Sequence, residues 1–67
     1  MNLQKTALEI KKNKYSKFEC LKKWPEFKMH TIVDDCEQHE LADDTHVLFV
    51  WFDNDQKYVS MQYSKYK

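Results

Sequence analysis

Thr45-His46-Val47-Leu48-Phe49-Val50-Trp51-Phe52-Asp53-Asn54-Asp55-Gln56-Lys57-Tyr58-Val59-Ser60-Met61-Gln62-Tyr63-Ser64-Lys65-Tyr66 is the stretch whose reading decides the fold. Thr45 to Phe52 is dominated by β-branched and aromatic side chains, the composition of a strand. Asp53-Asn54-Asp55-Gln56 supplies a turn without glycine, because Asn and Asp tolerate left-handed backbone. From Lys57 to Tyr66 the residues alternate, with Val59, Met61 and Tyr63 on one side and Tyr58, Ser60, Gln62 and Ser64 on the other. The pattern predicts a β-hairpin. A two-residue loop at Asn54-Asp55 would oppose Phe52 to Lys57, Val50 to Val59, Leu48 to Met61 and His46 to Tyr63.

Opposed residues share a face. One face of this hairpin is then Leu48, Val50, Phe52, Val59, Met61 and Tyr63, a core face. The other sets Val47, Phe49 and Trp51 beside Tyr58, Ser60 and Gln62. Three large apolar side chains in a row on an outer face need cover. Either this chain buries them, with little material left for a second layer, or another molecule does. Phe49, Trp51 and Tyr58 are accordingly candidate anchors of a protein interface, homodimeric or heteromeric.

Upstream of the hairpin, Asn2 to Lys12 reads as an amphipathic helix, because Leu3, Ala7 and Ile10 share one face. Ser16-Lys17-Phe18-Glu19 matches a capping box, in which Ser caps an amide and Glu reaches back. A fresh helix from Lys17 to Trp24 follows, buried through Phe18, Leu21 and Trp24 and ended by Pro25. The alternative is one unbroken helix, which would put Lys14 in the middle of the apolar stripe and force it to snorkel. The break is preferred. Glu26 to Val33 alternates like a strand, although Met29, Val33 and Cys36 also fit a helical face. Asp34 to Glu37 offers an Asp cap with Glu behind it, so a short helical turn is expected over Asp35 to Leu41. The fold class expected is α+β: N-terminal helical segments packed on a small antiparallel sheet that ends in the hairpin.

The chain has 67 residues, which predicts a single domain covering residues 1–67. A domain of this size buries only about 60% of its unfolded surface and is marginally stable. Ten aromatic side chains still provide for one compact core, which argues against intrinsic disorder. No run approaches the roughly 18 apolar residues of a membrane span, and no signal-peptide pattern is present. A cytoplasmic protein is expected, with Cys20 and Cys36 as thiols. The absence of Arg and Gly and the abundance of Lys, Asn, Tyr, Phe and Ile suit an AT-rich genome, as of some bacteria and their phages.

Net charge is zero, but only by cancellation. Met1 to Lys28 holds eight Lys and three Glu, Met29 to Gln56 holds eight acidic residues and no Lys, and Lys57 to Lys67 adds three Lys. Two charged surfaces are candidates. Asp34, Asp35, Glu37, Glu40, Asp43 and Asp44 form an acidic strip that could enter a basic groove on a partner. Lys11, Lys12, Lys14, Lys22 and Lys23 could track nucleic-acid phosphates, though without the Arg that most often reads bases.

Chemistry-bearing motifs are weak. Cys36-x-x-His39 is a single ligand pair where structural zinc wants two, so neither metal nor cofactor is expected. A Cys36 nucleophile would be disfavoured by Asp34, Asp35, Glu37 and Glu40, which oppose the thiolate. The sequence therefore points to a non-enzymatic interaction module that docks on a bacterial protein or complex, in the manner of a small phage-encoded inhibitor. A Lys-dependent nucleic-acid-binding or regulatory module is the alternative.

Overall fold

The computed structural model describes residues 2–65. Two helices, α1 (Leu3–Asn13) and α2 (Lys17–Lys23), precede four strands: β1 (Lys28–Val33), β2 (Cys36–Ala42), β3 (His46–Phe52) and β4 (Tyr58–Lys65). The strands form one antiparallel sheet in sequence order, β1-β2-β3-β4. The α+β architecture is the one expected.

The N-terminal segment breaks into two helices where the capping box lies. Lys14 adopts left-handed backbone at the C-cap of α1 and donates its amide to the Ile10 carbonyl. Its side chain therefore leaves the apolar stripe. Ser16 Oγ accepts from the Glu19 amide, and Glu19 reaches back to the Ser16 amide. Each partner satisfies a helix-end donor that would otherwise lack one. Leu3, Ala7 and Ile10 are buried as the periodicity implied, joined by Thr6.

The core lies between the helices and one sheet face. Leu3, Ala7, Ile10, Cys20, Phe27, Leu41, Leu48, Val50 and Phe52 make up its buried cluster. α2 differs from expectation. Its buried residue is Cys20, and Phe18 is 70% exposed. Seven residues make barely two turns, so only one narrow stripe of α2 meets the core. Leu21 and Trp24 are half-buried against its rim.

The expected helical turn over Asp35 to Leu41 is instead strand β2. Asp34 and Asp35 both take positive φ (50° and 66°), as a two-residue primed turn requires, and Val33 pairs with Cys36 across them. The Asp-x-x-Glu pattern that mimics a helix cap here serves a hairpin. β1 begins at Lys28, with a bulge between Met29 and Thr31.

The β3–β4 hairpin turns where expected, but its register is offset by two residues. Gln56 donates to the Asp53 carbonyl and itself has φ 65°, which adds a left-handed residue to the turn. Asp53 Oδ1 also accepts from the Asp55 and Lys57 amides. A second irregularity follows at Val59, between the pairs Phe52/Tyr58 and Trp51/Ser60. Beyond it Val50 opposes Met61, and Leu48 opposes Tyr63. Each extra residue flips the alternation once. Two flips return Met61 and Tyr63 to the core face but move Tyr58 onto it and leave Val59 exposed. Tyr66, the last residue of the expected hairpin, lies outside the described residues.

Candidate interaction surface

β3 is a central strand with apolar residues on both faces. Leu48, Val50 and Phe52 face the helices and are fully buried. Val47, Phe49 and Trp51 face the other way. Their cross-strand partners there are Ala42, Glu40 and Gln38 on β2, and Ser64, Gln62 and Ser60 on β4. Both helices lie on the core side, so among the described residues no second layer covers this face. Side chains alone shield it. His30 tilts over Phe49 with ring centroids 5.8 Å apart, and Phe49 and Trp51 lie 6.1 Å apart. Trp51 Nε1 donates to Gln38 Oε1 at 3.1 Å. Val47 ends up buried, while Phe49 and Trp51 are half-buried. Phe49 and Trp51 thus share the uncovered face, as the alternation implied, but Tyr58 does not lie on it. Tyr58 packs against the core cluster, and desolvation raises its hydroxyl pKa.

The acidic residues adjacent in sequence are dispersed in space. Asp34 and Asp35 sit at the β1–β2 turn, at the same end of the sheet as Asp53 and Asp55 of the β3–β4 turn. Asp43 and Asp44 occupy the opposite end, a strand length away. Glu37 and Glu40 point to opposite faces of β2, since their separation is odd.

Several of these carboxylates already have partners. Glu37 accepts from Lys17 Nζ at 3.2 Å and meets His39 Nε2 at 2.9 Å. Its pKa is lowered from the ordinary carboxylate value, first by the His39 hydrogen bond and then by Lys17. Asp43 Oδ1 accepts from the Thr45 and His46 amides, both at 2.8 Å, which holds its carboxyl low and shapes the β2–β3 turn. Glu40 lies 3.2 Å from His30 Nδ1. Asp34, Asp35 and Asp44 stay exposed.

The lysines collect on the helical layer. Lys11, Lys12 and Lys14 close α1, and Lys22 and Lys23 close α2, where cations suit the helix C-terminus. Lys23 is partly engaged: it bridges to Glu9 at 3.4 Å and lies over the rings of Tyr15 and Trp24. The molecule is polarised between a basic helical layer and acidic sheet ends.

Because β2 is a strand, Cys36 and His39 fall on opposite faces and cannot share a ligand. Among the described residues, no three His, Cys, Asp or Glu side chains converge as a metal site would need. His39 is buried beneath the helices, edge-on to Phe52 at 5.4 Å. Burial pushes the Cys20 thiol up to about 12. That site disfavours the thiolate a nucleophile requires. No helix of the described residues is long and apolar enough to cross a membrane.

No protein-family model, curated protein or solved structure matches the chain. The functional reading therefore rests on the surface itself.

Proposed function

We propose that this chain is a non-enzymatic protein-interaction module that docks through the open face of its sheet, centred on Phe49 and Trp51. One observation carries the reading: the central strand presents an apolar row on a face that lacks a helical or sheet layer among the described residues. Half-buried aromatics flanked by polar side chains are the usual composition of interface anchors with a wettable rim. Ser60, Gln62, Gln38 and Glu40 supply that rim. Asp34, Asp35 and Asp44 add exposed negative charge at the sheet ends. A protein with a basic surface is the complementary partner, and the role inferred is inhibition or modulation of a bacterial complex. Free Cys20 and Cys36 suit a reducing cytoplasm.

The test is affinity capture from bacterial lysate by wild type and by Phe49→Ser/Trp51→Ser. A discrete partner held by wild type and lost by a variant of unchanged circular dichroism is the expected result. Equal capture by both would remove the open face from consideration.

A second reading has its own support in the exposed Lys11, Lys12, Lys14 and Lys22 on the helical layer. It predicts salt-sensitive binding of nucleic acid. A mobility shift with mixed DNA and RNA at low salt decides it, and no shift ends it.

A further inference from the structure

β1 is the edge of the sheet, and all six of its residues are exposed. Met29 and Ile32 oppose His39 and Glu37, so they lie on the helix side, yet they are 58% and 62% exposed. The helices stop short of this strand. Val33, on the other side, is also exposed. An edge with unpaired backbone groups and apolar side chains is a template for another strand.

The charges at its two ends select which strand. Lys28 opens β1, and Asp34 and Asp35 follow its last residue. Among the described residues none of the three forms an ion pair within the chain. We propose that β1 pairs antiparallel with β1 of a second copy, bringing Lys28 of each copy beside Asp34 and Asp35 of the other. Parallel pairing would set like charge on like. Antiparallel pairing of β1 with the far edge, β4, would bring Asp34 and Asp35 to Lys57 but set Lys28 beside Lys65, and it would propagate into an open filament. The two-fold arrangement closes on itself and makes both ends attractive.

Lys28 and the bulge at His30 blunt this edge against other strands, as natural edges are blunted. Toward its own copy Lys28 becomes a docking contact. The two-fold axis runs perpendicular to the sheet. It yields an eight-stranded sheet with both helical layers on one side and both Phe49/Trp51 rows on the other. Met29 and Ile32 of the two copies adjoin across the axis, reducing their exposure. A six-residue strand pair buries less than the roughly 1,200 Å² of a standard interface, so the dimer is concentration-dependent.

Sedimentation of the full chain at low salt, from about 10 μM to 1 mM, tests this. Wild type should dimerise, and rising salt should weaken the dimer. Each substitution acts at both ends of a two-fold interface, so Lys28→Glu should raise the Kd about tenfold. Lys28→Glu/Asp34→Asn/Asp35→Asn, which removes the repulsion but keeps residues that tolerate positive φ, should recover part of the loss. Hydrogen exchange should slow at β1 amides as concentration rises. A wild-type monomer throughout, or a dimer with unprotected β1 amides, overturns the proposal. Phe49→Ser/Trp51→Ser should still dimerise, which separates failure of this pairing from failure of the open-face docking.

Discussion

β3 and β1 belong to one sheet and have similar lengths, yet they behave as opposites. β3 reads His46-Val47-Leu48-Phe49-Val50-Trp51-Phe52 and contributes three fully buried side chains. β1 reads Lys28-Met29-His30-Thr31-Ile32-Val33 and contributes none. Ile32 and Val33 are as apolar and as β-branched as Val47 and Val50. The difference is position: β3 has neighbours on both sides and helices beneath it, whereas β1 has one neighbour and no helix. In a domain this small the helical layer lies over β3 and β4 and does not reach β1. Burial energy is thereby concentrated in one strand, and the β1 edge is left exposed.

The largest effect that could break this contrast is at Phe52. Phe52→Ala should cost about 3–5 kcal/mol, close to the whole stability of so small a domain. Urea denaturation followed by circular dichroism should find it largely unfolded, with Phe52→Leu intermediate. If Phe52→Ala melted like wild type, β3 would not be the centre of the core.

The two thiols grade the same contrast kinetically. Cys20 is buried in the core, and Cys36 is half-buried at the β1–β2 turn. Maleimide at neutral pH should label Cys36 first and Cys20 only at the rate of unfolding. The Cys20 thiol pKa is raised by burial to about 12, from an ordinary value of 9.0. The unfolded chain therefore ionises first as pH rises, and stability should fall progressively above pH 9.0. Cys20→Ala should lessen that alkaline decline.

Glu37 lies on β2, between the two extremes. Its pKa is lowered by His39 and then by Lys17, relative to an ordinary value of 4.5. The carboxylate's contribution is therefore complete above that value and is lost as pH falls through the folded pKa. Glu37→Gln should be less stable than wild type at pH 6, with the difference shrinking toward pH 3 in thermal melts. The smallest effect belongs to the edge. Ile32→Ser should change the stability of the monomer by no more than about 0.5 kcal/mol in dilute solution. A larger loss would mean that β1 is covered within the chain.

Much of the fold was legible. The two-residue periods of β3 and β4, the turn at Asp53 to Gln56 and the Ser16/Glu19 capping box are local features. Each depends on side chains and backbone within a few residues. β2 was not legible, because Cys36-Glu37-Gln38-His39-Glu40-Leu41-Ala42 carries a helix-like cap and weak strand propensity. Pairing with β1 and β3 makes it a strand. The same limit applies to the candidate surface. Phe49 and Trp51 could be found from the missing alternation of β3. The place of Tyr58 could not, since it depends on the extra left-handed residue, Gln56, in the turn.

By itself the sequence determined the class of the fold, the break between the helices and the excess of apolar residues on β3, all set by local propensity and periodicity. Tertiary structure decided which strand became the edge, which carboxylates were already bound and where Tyr58 pointed. Those outcomes depend on hydrogen bonds and packing between residues far apart in the chain, where a one-residue change in register turns a side chain from one face to the other.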